Sequence, residues 1–181
     1  MVAVGECGLD FSKGFPAPEA QTSWFQAQLE LALLVQKPLF LHERHAHATF
    51  VKMLKNTLPV PNTLPLLVHC FTGTEAEMEV YINMGCYIGL TGHFCKPTAG
   101  QTLRSFVHKI PLDRIVVESD APYMGFPKCR EPHFNDKKRS YPNVPTSLPM
   151  IVQALAALRH ESVHEISVKT TRNAHRFLRL L

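Results

Sequence analysis

The chain has 181 residues, of which 45% are hydrophobic and 19% charged, a balance that fits a folded domain of ordinary size and excludes a disordered chain. No apolar run reaches the roughly 18 residues a membrane helix needs, and the N-terminal "MVAVGECGLD" lacks the basic-then-apolar order of a signal peptide. The net charge of +4 suits an anionic partner without requiring one.

The first apolar run, "VAVGEC", reads as a strand from Val4 that carries Glu6. A helical stripe of Trp24, Phe25, Leu29, Ala32 and Leu33 follows, and Pro38 opens the second run, "PLFLHE", which carries His42. Phe50, Met53, Leu54 and Leu58 make the next helical face, leading to "PLLVHC" with His69. Thr74 with Glu77 predicts a capping box, opening a helix that buries Met78, Tyr81 and Ile82. "CYIGLT" is the fourth strand, and Leu103, Phe106, Val107 and Ile110 form a fourth helical face. The fifth run, "RIVVESD", delivers Glu118 and Asp120 and is stopped by Ala121-Pro122. Residues 121–145 carry Lys128, Arg130, Lys137, Lys138 and Arg139 against Glu131 and Asp136, with five prolines. That stretch predicts a basic, irregular loop, either a solvated surface or a contact for phosphate. Leu148, Ile151, Val152 and Leu155 lead into a helical tail ending near Leu180.

Strands that are apolar throughout and alternate with helices imply parallel βα units buried on both faces. The spacing of their starts fits either a βα barrel or an open doubly wound sheet, and no phosphate-cradling glycine motif supports the nucleotide-binding versions of the latter. Four of the five strands are expected to end in a metal-ligand type: Glu6, His42, His69, and Glu118 with Asp120. In a parallel βα fold these ends share one face, so residues far apart in sequence converge there. Imidazoles mixed with carboxylates suit a divalent cation that activates water. The five cysteines are odd in number and widely spaced, which predicts neither disulfides nor a zinc module.

The segments "AVGECGLDF", Gln21 with "FQAQLELA", "PLFLHERHAHATF", "VHCFTGT", "YIGLTG", "IVVESDAPY" and "NVPTSLP" run through nearly the whole chain in order. On them the chain resembles the TatD family of metal-dependent deoxyribonucleases, amidohydrolase-like βα barrels. The resemblance implies a partial TIM-type (β/α) barrel with about five of the eight strands, a single domain over residues 1–181 that begins at the family's fourth strand. It also implies that Glu6 bridges two metals, that His42 and His69 hold one, and that Asp120 binds the other and serves as general base. Arg44 would approach the scissile phosphate, and Glu118 matches a substrate-side position near the site. His45, His47 and His93 are candidates for the mouth of the site, whereas His108, His160, His164 and His175 fall on helical stretches as surface residues.

The chain departs from the family pattern twice: Val144 stands where the family's "NEP" has its acid, and the strand with the family's HxH pair has no counterpart. The implied cofactor is a divalent ion, Mg2+ first, with Mn2+ or Zn2+ as alternatives. The implied activity is an exonuclease on DNA, single-stranded by preference, in the cytoplasm or else the nucleus, with no membrane partner. Exposed edge strands predict self-association. The competing expectations are an inactive partial barrel with a binding role or none, and a hydrolase of another ester such as misacylated tRNA.

Overall fold

The computed structural model describes residues 1–59, 63–130 and 142–181. Five parallel strands form one sheet in the order β1-β2-β3-β4-β5: β1 (Val4–Asp10), β2 (Leu39–Arg44), β3 (Leu66–Val68), β4 (Tyr87–Leu90) and β5 (Ile115–Val117). Each starts at the residue the apolar runs predict. Between them lie α1 (Pro18–Val35), α2 (His47–Thr57), α3 (Glu75–Asn83) and α4 (Gln101–Phe106), and α5 (Leu148–Arg159) and α6 (Val163–Phe177) close the chain. The tail expected as one helical stretch is therefore two helices, broken at His160, which takes a left-handed conformation (φ 55°). Every strand neighbours the next one in sequence, without the reversal of order that marks a doubly wound sheet, so the barrel-type winding is the one adopted.

The two faces of the sheet differ. Leu39, Leu41, Leu66, Val68, Ile88, Leu90 and Ile115 are buried against the helices in the main core, together with Phe25, Leu29, Phe50, Leu54, Met78, Tyr81, Leu103, Phe106, Ile151 and Leu155. The opposite face carries Phe40, Leu67, Tyr87 and Val116, which pack on Phe177 from the end of α6. Arg179 fixes that end in place by donating to the carbonyls of Gln36 and Thr63, in the turns before β2 and β3. Two residues further along each strand, the same face turns polar, with His42 following Phe40 and His69 following Leu67. An apolar floor thus underlies the polar strand ends.

α1 uses Phe25, Leu29 and Ala32 as its buried face, but Trp24 is 73% exposed. Adjacent helical positions diverge by about 100°, and the sheet accepts the stripe through Phe25. The capping box at α3 forms as predicted, with Thr74 Oγ1 accepting from the Glu77 amide (3.3 Å) and Glu77 Oε2 accepting from the Thr74 amide (2.7 Å). Of the expected basic loop, Lys128 and Arg130 are described; Glu131, Asp136, Lys137, Lys138 and Arg139 lie outside the described residues.

Candidate metal centre

β1 contributes the first carboxylate from its interior rather than its end. The pairing Val4↔Leu39 and Cys7↔Leu41 gives β1 three steps where β2 takes two, so an extra residue is accommodated around Gly5 and Glu6. Such an irregularity re-aims a side chain, and here the Glu6 carboxylate comes over the end of β2. Glu6 Oε1 lies 2.9 Å from His42 Nδ1 and 2.8 Å from His69 Nε2, and the two ring nitrogens are 3.1 Å apart. Donors bound at about 2.1 Å and about 90° to one another sit about 3 Å apart, so this trio has the size of a coordination set for one small divalent ion. Two imidazole nitrogens with one carboxylate oxygen also have the chemistry of an open catalytic site.

The three differ in exposure. His69 is buried and lies against the Phe40 ring (centroids 4.9 Å apart), while His42 is partly covered and the Glu6 side chain is half exposed. The site therefore opens toward solvent on the Glu6 side. Burial holds the His69 imidazole below its usual pKa, against the charge of Glu6, which raises it; the neighbouring His42 adds to the lowering. A neutral His69 keeps its lone pair available to an ion.

Glu118 reaches the site from β5 across β4. Its Oε1 accepts from the Cys70 amide and lies 3.8 Å from His69 Nδ1. Gly89 makes this crossing possible: a Cβ there would collide with the Glu118 carboxylate and approach His69 Cα to 2.9 Å. Burial pushes Glu118 up to about 7, opposed by the Cys70 amide and reinforced by the charges of Asp120 and Glu6. Asp120 takes a left-handed backbone (φ 54°), as does Cys70 (φ 47°), and burial together with the charge of Asp120 pushes the Cys70 thiol up to about 12. Asp120 is close enough to act electrostatically on His69 and Glu118, but it stands outside the group formed by Glu6, His42 and His69. The segment holding it is tied down by Asn143, whose side chain donates to the Ser119 carbonyl (2.7 Å) and whose amide donates to the Pro122 carbonyl (2.8 Å).

A model of the family described as TatD related DNase matches residues 1–179. The chain belongs to the TatD family. It is 43% identical over 180 residues to the 3'-5' ssDNA/RNA exonuclease TatD of Erwinia tasmaniensis, a match that covers 99% of this chain and 67% of that protein. The protein of the same name from Edwardsiella piscicida is 41% identical, with 99% and 66% covered. Among solved structures, the TatD homologue YJJV of Escherichia coli superposes with a TM-score of 0.83 at 30% identity, over 97% of this chain and 62% of that one. A TatD family hydrolase from Entamoeba histolytica gives 0.82 at 27%, with 97% and 62% covered. The chain thus spans about two thirds of the length of these relatives or somewhat less.

Within this TatD chain, the residues singled out from sequence are placed as follows. Glu6, His42 and His69 converge, and Asp120 and Glu118 flank them. Arg44 ends β2 in solvent, and its charge reaches the half-buried His93, whose imidazole is held below its usual pKa first by burial, then by Lys96 and Arg44. His45 is exposed with a left-handed backbone. His47 is turned away from the mouth: its Nδ1 lies 2.8 Å from the Tyr81 hydroxyl, which donates to Glu43 Oε2 at 2.9 Å, while Glu43 Oε1 accepts from the Ala46 amide at the start of α2. Sequence reasoning missed Asp10. This buried last residue of β1 lies 3.4 Å from His42 Nε2. Its place four residues after Glu6, on the same side of a strand, was the available signal.

Among the described residues no helix is long and apolar enough to cross a membrane, and all five cysteines are free thiols.

Proposed function

We propose that residues 1–181 act as a single hydrolase domain that cleaves phosphodiester bonds in nucleic acid with the help of a divalent metal ion, most simply as an exonuclease. The observation carrying this reading is the trio of Glu6 Oε1, His42 Nδ1 and His69 Nε2, all within 3.1 Å of one another, at the strand ends of a chain belonging to the TatD family. When bound there, a divalent ion would supply Lewis acidity toward a phosphoryl oxygen and acidify water. Glu6 would hold the ion from the open side and His42 and His69 from the covered side. Asp120, as general base, would take the proton of the attacking water, and it would also complete a second, weaker ion position with Glu6. Arg44, exposed at the end of β2 two residues past His42, would bind a non-bridging phosphate oxygen. Glu118, which the family resemblance puts on the substrate side, would support His69 and Cys70 from behind, because its carboxylate is turned onto the Cys70 amide.

Mg2+ is the ion the family resemblance puts first, but two imidazoles in three donors favour Mn2+ or Zn2+ over the oxygen-seeking Mg2+. The relatives' names support single-stranded DNA and RNA as substrates. The free thiols support a reducing, cytoplasmic setting. Among the described residues β1 and β5 each pair on one side only, which supports self-association.

The test is release of nucleotides from end-labelled single-stranded DNA by the purified chain in Mn2+ or Mg2+. Release should vanish with a chelator and with His69→Ala, and Asp120→Asn should lower it by about 100-fold or more, the scale of general-base loss. Release by wild type no faster than the His69→Ala background would refute the reading for this chain.

A further inference from the structure

The geometry points to Asp10 as the positioning residue of His42: its carboxylate holds the imidazole from Nε2 with Nδ1 toward the metal position. This rests on the metal-centre reading above and extends it by one residue.

His42 sits between the two carboxylates of β1. It pairs in register with Gly8, midway between Glu6 and Asp10. Gly8 has φ 152°, and a Cβ there would collide with the His42 carbonyl and come within 2.9 Å of its amide nitrogen, so glycine is what lets the two strands approach here. The imidazole consequently has a carboxylate on each side, with Nδ1 at 2.9 Å from Glu6 Oε1 and Nε2 at 3.4 Å from Asp10 Oδ2. Only Nδ1 also faces His69, so Nδ1 is the nitrogen of the coordinating trio.

With an ion held by the trio, Nδ1 and Glu6 would both face that ion, leaving the imidazole proton on Nε2, where the Asp10 carboxylate can accept it. A neutral imidazole protonated at Nε2 has its lone pair on Nδ1, where the trio needs it. Asp10 is itself immobilised. It is buried, its Oδ1 accepts from the Ser12 amide (2.8 Å), and Gln21 of α1 grips its backbone, accepting from the Asp10 amide (2.8 Å) and donating to the Asp10 carbonyl (2.7 Å). The first turn of α1 thus holds the carboxylate that orients the ligand. His69 has no equivalent hydrogen bond, since Glu118 lies 3.8 Å from its Nδ1.

Asp10→Asn separates this role from a merely structural one. The asparagine oxygen can still accept from the Ser12 amide, but its NH2 would donate to Nε2 and drive the proton to Nδ1. Long-range 1H–15N spectra of the imidazoles in the full chain loaded with diamagnetic Zn2+, with His42 assigned by its loss in His42→Gln, should show the Nε2–H tautomer in wild type, and Asp10→Asn should need more Zn2+ to reach it. Calorimetric titration with Mn2+ alone should show affinity lowered about 10- to 100-fold in Asp10→Asn, the range for losing an outer carboxylate. An Nδ1–H tautomer in wild type, or unchanged Mn2+ affinity in Asp10→Asn, would overturn the inference. The wild-type spectrum decides the matter even should the variant not fold. A wild-type chain that takes up neither Mn2+ nor Zn2+ would instead refute the metal-centre reading, and the inference with it.

Discussion

Glu118 illustrates what the fold asks of one residue. Its carboxylate is buried across Gly89, and its pKa rises from 4.5 to about 7. Between those values the native chain holds a proton that the unfolded chain has released, so stability falls as pH rises through this window. The span corresponds to at most about 3 kcal/mol. His69 has the opposite sign: its lowered pKa means that stability is lost as pH falls below the usual imidazole range. The difference between Glu118→Gln and wild type isolates the carboxylate. In urea titrations of metal-free protein from pH 4.5 to 8, the variant should gain on wild type as pH rises, and parallel curves would contradict the assignment. Glu118 and His69 could be read from sequence as strand-end polar groups. That Glu118 would lie over a glycine of the intervening strand could not, because its contact is with the Cys70 amide, 48 residues away across β4.

At the scale of elements, local signals were dependable where the chemistry was local. The Thr74–Glu77 box formed because both partners lie within one turn. The exposed Trp24 shows the limit: periodicity identifies an apolar stripe, and packing selects which stripe is buried. The anchoring of α6 to β5 was likewise invisible. Asn173, buried on α6, donates to the carbonyls of Leu112 and Ile115, both at 2.8 Å, at the entrance to β5. Asn173→Ala removes both bonds, although the Leu112 carbonyl keeps the Ile115 amide as a partner, and should cost about 1–3 kcal/mol. A shift of the denaturation midpoint with an unchanged slope measures this, and a loss below about 0.5 kcal/mol would show that the anchor is dispensable.

For the whole molecule, the consequence of the architecture is an open sheet. Among the described residues β1 and β5 each pair on one side only, and the inner face ends in a polar rim above the Phe40, Leu67, Tyr87 and Val116 floor. Open strand edges template further pairing. Under the self-association proposed above, sedimentation velocity should show a mass that rises with protein concentration. A single monomeric boundary at every concentration would argue that side chains or loops already protect the edges.

The amino-acid sequence by itself determined the strand starts, the parallel winding, the family and three converging ligands, because apolar runs and strand-end polar residues are local patterns whose meaning a βα repeat fixes. Tertiary structure alone decided the sequential strand order, the extra residue that swings Glu6 over β2, the passage of Glu118 across Gly89, and the contact of Asp10 with His42. Each of these depends on the distance between strands, which is set by packing and by which glycines let backbones approach, and no periodicity in the chain encodes it.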